Sequence, residues 1–293
     1  MAQLAVVKGH GTQNDFVLLP DAEAAYADLL DPVTVAAICD RRAGLGADGL
    51  IRVVPTASVA EVADLAAEAE WFMDYRNADG SIAEMCGNGA RVFARFLLER
   101  GWVAAGGTFA IATRGGVRHV EVHGDDLAID MGPADFPQHG GPVEVLVDGR
   151  AWSATSVTMP NPHAVVFVDD LEQAGSLLEA PDVLPLTAFP DGVNVEFVVT
   201  TGPAHVAMRV HERGSGETRS CGTGACAVAV AARRRHAHQH GIPLADAPAQ
   251  WIVDVPGGRL SVTERGDGHV ILAGPAVLVA EASVDLDAVA LQR

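Results

Sequence analysis

Met85-Cys86-Gly87-Asn88-Gly89-Ala90 opens a helical pattern running to Leu98, and Ser220-Cys221-Gly222-Thr223-Gly224-Ala225 opens another running to Ala232. Nine residues before each cysteine stands a polar residue, Asn77 in one case and Glu212 in the other. Gly132-Pro133-Ala134 and Gly274-Pro275-Ala276 each follow a strand-like run, and Asn14-Asp15-Phe16-Val17 is echoed by Asn161-Pro162-His163-Ala164. Several matches in one order are the mark of a duplicated plan. They predict two equivalent domains, residues 1–134 with 275–293 and residues 135–274, each presenting one C-G-x-G turn at a helix start.

Around these turns the chain alternates strand and helix signals. Residues 4–8, 16–19 and 51–54 read as short strands, and residues 33–39 as a helix entered at Asp31-Pro32. Further strands are expected at 117–122, 127–131, 143–147, 164–168, 195–199, 206–210, 251–255 and 270–272. So many strands with so few helices between them predict an α+β (mixed α/β) chain rather than a doubly wound sheet. Residues 56–70, rich in Ala and Glu, read as either helix or surface insertion.

Composition narrows the partners. With 293 residues, 49% of them hydrophobic and 20% charged, the chain can bury a full core. Its net charge of −18 argues against nucleic acid and acidic membrane surfaces, because phosphate contacts need a basic face. No run approaches the ~20 apolar residues that span a bilayer. The opening MAQLAVVKGHGTQNDF turns polar too soon for a secretory signal, so a cytoplasmic location is expected. Four cysteines without a C-x-x-C pair (Cys39, Cys86, Cys221 and Cys226) suggest thiols rather than a disulfide framework.

A glycine after each turn cysteine lets the backbone bend tightly and approach a ligand. The helix that follows points its first unpaired N–H groups back at the turn, with a partial positive charge behind them. Such a place binds a carboxylate and favours a thiolate. Two such turns facing one bound anion would suit removal of a proton from one face of a carbon and delivery to the other. One thiolate would act as general base and the opposite thiol as general acid, while the turn amides stabilise charge accumulating on the carboxylate. Cys39, on an apolar helix, and Cys226, five residues beyond Cys221, read as packing thiols. The helix at 225–232 looks apolar all round, whereas 91–98 is expected to bury Val92, Phe93, Phe96 and Leu97 and expose its arginines. His236, His238 and His240 alternate after Arg233–Arg235 and could bind a metal, but they read first as an exposed helix end. Neither a P-loop nor a G-x-S-x-G elbow occurs.

The segments GHGTQNDFVLL (9–19), RRAGLGADGL (41–50), FMDYRNADGSIAEMCGNGARV (72–92), MPNPHAVVFV (159–168), GVNVEFV (192–198) and RVHERGSGETRSCGTGACA (209–227) together resemble the diaminopimelate epimerase family. The last is the most specific. The resemblance covers most of the chain. It implies two pseudo-symmetric domains, each a barrel-like sheet around a central helix, with the active site in the interdomain cleft. It also implies a reaction with neither pyridoxal phosphate nor metal, hence no cofactor, and a small-molecule substrate, LL- or meso-diaminopimelate. A homodimer is plausible on family grounds.

Carried over by position, the resemblance makes Cys86 and Cys221 the acid/base thiols, with His163 and Glu212 assisting proton transfer. The amides of Gly87, Asn88, Gly222 and Thr223 would receive the reacting carboxylate. Asn14, Asn77, Asn161, Asn194 and Arg213 would grip the distant end of the substrate, Arg213 through its planar fork. Two departures stand out. Gly49 replaces a glutamine common in the family, and Pro160 replaces the usual glycine before Asn161-Pro162-His163. A racemase of another substrate such as proline, an isomerase on the same fold, a thiol redox protein and a non-catalytic amino-acid-binding module are the rival readings.

Overall fold

The computed structural model describes residues 3–139 and 141–290. The outermost residues of the first expected domain, 1–2 and 291–293, lie outside the described residues. By its internal contacts the chain separates into two units, Met1–Ile129 with Pro275–Arg293, and Asp130–Gly274. It is a mixed α/β, strand-rich chain.

In the first unit the described strands run side by side in the order Val277–Asp285, Gln3–Gly11, Asn14–Pro20, Gly49–Pro55, Trp71–Asn77, Thr108–Thr113, Gly116–His123 and Asp126–Pro133. Their pairings are antiparallel, antiparallel, parallel, antiparallel, parallel, antiparallel and antiparallel. Helix α1 (Pro32–Cys39) starts where the sequence signals it. Pro32 needs no N–H partner there, and the Asp31 carboxylate accepts from the amides of Val33 and Thr34. Leu4, Val17, Leu19, Val35, Ile38 and Leu50 form the apolar cluster beneath it. Helix α2 (Gly87–Glu99) follows the fifth strand and packs on the first five.

In the second unit the order is Val143–Val147, Arg150–Thr158, Pro162–Phe167, Asn194–Gly202, His205–Glu212, Gln250–Val255, Gly258–Glu264 and His269–Pro275. The seven pairings repeat those of the first unit in direction, one for one. Helix α3 (Gly222–His240) again lies between the fifth and sixth strands of the series. It runs about two turns past the expected end, because Arg233–Arg235 and the histidines continue it until Gly241 caps it in the left-handed conformation. A short helix, α4 (Leu286–Ala290), follows the chain's last strand.

The strands that the sequence reading passes over have weak or interrupted patterns. Val277–Asp285 is mostly exposed, and Arg150–Thr158 is nearly so. Trp71–Asn77 carries Asp74 in its buried middle, where Arg114 and Arg52 offset the charge at 2.8 Å and 3.6 Å. Residues 56–70 form two 3-10 stretches, Thr56–Ser58 and Ala60–Ala67, that seat Val62 against Val54, Phe72 and Ala112. The segment therefore covers core.

The expectation that α2 exposes its arginines fails at Arg91, which is completely buried. Its guanidinium donates to Asn88 Oδ1 at 2.8 Å, to the Gly87 carbonyl at 3.3 Å and to Thr12 Oγ1 at 3.4 Å. A helical wheel places it on the polar side, but the strand Gln3–Gly11 and its turn close over that side with polar partners.

Candidate active site

Both turn cysteines are helix N-caps with extended backbone, Cys86 at φ −137° and Cys221 at φ −118°. The place usually held by a serine or aspartate oxygen is held by sulfur. Cys86 Sγ accepts the Gly89 amide at 3.4 Å, and Cys221 Sγ accepts the Gly224 amide at 3.3 Å. A sulfur so placed lies against the positive end of its helix, which favours the thiolate.

Around Cys86 the partners are amides. The thiol lies 3.7 Å from Asn14 Oδ1, which also accepts from Asn88 Nδ2 at 3.1 Å. Asn14 Nδ2 donates to Asp48 at 2.7 Å, and Asp48 in turn binds Arg41. Asn14, Cys86, Gly87 and Asn88 are thus brought together, and buried Arg91 fixes Asn88. Asn77 is committed locally: it accepts from the Tyr75 hydroxyl at 2.9 Å and donates to Ser81 Oγ at 3.0 Å. The Gly49 departure has a steric reason, since a Cβ there would lie 2.5 Å from the Arg76 carbonyl oxygen and 2.7 Å from the Tyr75 ring.

Around Cys221 the partners ionise. Glu212 accepts hydrogen bonds from Thr218 and from the Cys221 thiol. Burial pushes the Glu212 carboxyl above its ordinary value, against the pull of those hydrogen bonds. Burial also pushes the Cys221 thiol well up, reinforced by the neighbouring charges of Glu212 and Glu196, while Thr223 and the Gly224 amide pull it down. Burial and these charges therefore favour the protonated thiol at Cys221. Thr223 Oγ1 lies 3.5 Å from its sulfur. His163, fully buried, sits with Nδ1 2.6 Å from Glu196 Oε1 and Nε2 3.0 Å from Asn161 Oδ1. Asn194 accepts the Arg213 backbone amide at 2.9 Å. The exposed Arg213 side chain rests against Gly192 and donates to the Asp191 carbonyl.

Strand register relates the two sets. Phe16 pairs with Gly49, and Gly49 with Asn77. His163 pairs with Asn194, and Val195 with His211, which sets Asn194 beside Glu212. Asn14 and Asn161, Phe16 and His163, Gly49 and Asn194, Asn77 and Glu212 therefore hold matching places in their units. At two of these places one unit is apolar or amidic where the other can ionise: Phe16 against His163, and Asn77 against Glu212.

The sequence reading misses Arg91, Thr218 and Glu196. Glu196 had a signal, a lone acid between Val195 and Phe197 in an otherwise apolar strand; Arg91 and Thr218 had none. Cys39 and Cys226 are buried as expected, and burial pushes the Cys39 thiol up to about 12. Among the described residues no group of three or more His, Cys, Asp or Glu side chains could hold a metal. His236 instead stacks on His240, with ring centroids 4.1 Å apart. No described helix is long and apolar enough to cross a membrane.

The family model for diaminopimelate epimerase matches residues 6–137 and 155–279. A diaminopimelate epimerase of Streptomyces coelicolor is 59% identical over 285 residues, 97% of this chain and 96% of the relative. One of Thermobifida fusca is 48% identical, over 96% and 98% of the two chains. Among solved structures, a phenazine biosynthesis protein of the PhzF family from Bacillus anthracis superposes with a TM-score of 0.66 at 17% identity, over 97% of this chain and 100% of that one. A hydroxyproline epimerase from Agrobacterium vitis gives 0.65 at 15%, over 97% and 93%. These two show a shared fold. With a family model spanning nearly the whole chain and full-length relatives at such identity, the chain belongs to the diaminopimelate epimerase family.

Proposed function

We propose that the chain is an isomerase that interconverts LL- and meso-diaminopimelate, a step toward lysine and peptidoglycan precursors, by a two-base reaction of Cys86 and Cys221. The observation that carries the mechanism is the matched pair of thiols, each N-capping the helix inserted at the same point of the same strand series. In this reading the units are two copies of one plan, residues 1–134 with 275–293 and 135–274, each a strand wrap around its central helix. A thiolate removes the α-proton from one face and the other thiol supplies a proton to the opposite face. The amides of Gly87, Asn88, Gly222 and Thr223 hold the α-carboxylate and stabilise its developing charge.

The protonated Cys221 suits the acid role at rest, and Glu212, hydrogen-bonded to its sulfur, stands ready to share that proton. His163, hydrogen-bonded to Glu196 and Asn161, is assigned to assist that transfer. Asn14, Asn77, Asn194 and Arg213 are assigned to the distant amino-acid end, where Arg213 is exposed enough to swing to a second carboxylate. The reaction asks for no cofactor. We assign the enzyme to the cytoplasm, and a homodimer belongs to the same reading.

The test is a proton-NMR assay in D2O with purified protein and diaminopimelate. Deuterium should enter the α-carbon with wild type and not with Cys86→Ala or Cys221→Ala. Full exchange in either variant would overturn the two-base scheme.

A further inference from the structure

Glu196 is completely buried two residues after Asn194, in a strand whose first five residues are all buried. Its counterpart, two residues after Gly49, is the equally buried Ile51. The helices register the same correspondence. A Cβ on Gly89 would lie 3.3 Å from Ile51 Cδ1, and a Cβ on Gly224 would lie 2.8 Å from Glu196 Oε1. An isoleucine therefore does the packing at this place in one unit, and the fold does not demand a carboxyl in the other. Burying one is costly unless it is paired. Among the described residues Oε1 is hydrogen-bonded to His163 Nδ1, and Oε2 has no hydrogen-bond partner.

The hydrogen bonds of His163 fix a proton count. Asn161 Oδ1 carries no hydrogen, so Nε2 must donate to it. A neutral imidazole has then spent its single N–H. The 2.6 Å approach of Nδ1 to Glu196 Oε1 needs a second proton, held on the ring or on the carboxyl. The pair thus holds one proton more than a neutral imidazole and a free carboxylate would.

We propose that Glu196 is the positioning residue of the Cys221 half, holding His163 by this shared proton so that imidazolium character is present when the Cys221 thiolate forms. The proposal rests on the epimerase reading above. The proton balance is simple: Cys221 gives its own proton to the substrate carbon, the shared proton shifts toward Nδ1 and stays within the pair, and the sequence reverses in the other direction. Beyond the direct charge it exerts on Cys221, Glu196 acts by holding His163. The charge of His163 bears in turn on Glu212, the carboxyl that accepts from the Cys221 thiol.

The test combines kinetics with imidazole NMR. Wild type labelled with 15N-histidine should show a far-downfield proton on His163 Nδ1, as expected of a short charge-assisted hydrogen bond, and His163→Asn should abolish that signal. Glu196→Gln keeps the shape and removes the shared proton. It should lose the downfield signal and at least tenfold in kcat, with KM within threefold, and Glu196→Asp should recover part of the loss. Wild-type kcat in Glu196→Gln, or no such signal in wild type, overturns the proposal; the second readout stands even if the variant does not fold. Failure of wild type to wash deuterium into diaminopimelate would instead refute the epimerase reading and leave the NMR result intact.

Discussion

Cys221 leaves no room for a side chain at Gly224: the amide of Gly224 donates to the sulfur at 3.3 Å, and a Cβ on Gly224 would stand 3.2 Å from the same sulfur. Cys86 and Gly89 share the first relationship, but the Cβ built on Gly89 would meet the flexible Met73 Cε at 3.1 Å. Alanine is favoured over glycine inside a helix by about 1 kcal/mol. At Gly89 that gain should offset a small shift of Met73, leaving the melting temperature of Gly89→Ala nearly unchanged. At Gly224 the new methyl would press on Glu196 and on Cys221 itself. Gly224→Ala should melt lower and lose most activity, and equal effects of the two variants would contradict this packing.

Thiol reactivity should be ordered. Cys86 is half-buried, whereas Cys221 is 4% exposed and its thiol is raised by burial and by nearby carboxyl charge. Alkylation by iodoacetamide followed by peptide mass spectrometry should label Cys86 first. Labelling of Cys221 should begin only above the pH at which an ordinary thiol ionises. Faster labelling of Cys221 at neutral pH would show that the sulfur is a thiolate at rest.

Thr218 donates to the same Glu212 carboxyl that faces the Cys221 thiol. That hydrogen bond favours the carboxylate, against the burial that favours the acid. Thr218→Val should therefore raise the Glu212 pKa further and lower kcat about tenfold, a loss of roughly 1.4 kcal/mol in barrier terms. KM should change little. The kcat–pH profile should move upward on its acid side, and an unmoved profile would separate Glu212 from the chemistry.

Arg91→Met removes a buried guanidinium and leaves Asn88 Oδ1 and the Gly87 carbonyl short of a donor. The expected cost is about 1–3 kcal/mol in stability, measured by urea unfolding. Because Asn88 also donates to Asn14 beside the Cys86 thiol, activity should fall by more than the loss of folded protein.

Asp15 supplies a pH prediction. Burial alone would raise its pKa, but hydrogen bonds from Arg41 and Lys8 prevail and hold the carboxyl well below the usual range. A lowered carboxylate contributes stability above its unfolded pKa and loses it as pH falls toward the folded value. Melting temperature should thus drop as pH falls below about 4. Asp15→Asn should be less stable at neutral pH and show a flatter acid limb; an identical limb would assign the acid sensitivity elsewhere.

The two turns were legible because cysteine, glycine and spacing carry their meaning locally. Val143–Val147 and Pro162–Phe167 were legible because short β-branched stretches mark them, valines alternating with Glu144 in the first and an apolar run from Ala164 to Phe167 in the second. Val277–Asp285 was not, since an exposed edge strand lacks the alternation that marks a half-buried one. Arg91 was misjudged because a helix pattern cannot show that a turn at Thr12 folds over it. Glu196 lay in plain view, but its meaning depends on His163, a strand away, and on Ile51 in the other unit.

The strand order has a consequence for synthesis. The second unit is one unbroken stretch, and all eight of its serial strands exist once residue 275 has been made. The first unit takes the strand beside Gln3–Gly11 from Val277–Asp285, at the far end of the chain. During translation the earlier-made half must therefore wait with one edge of Gln3–Gly11 unpaired while the later-made half completes itself, the kind of exposed edge that invites pairing between chains. The half that is translated first is the half that finishes last.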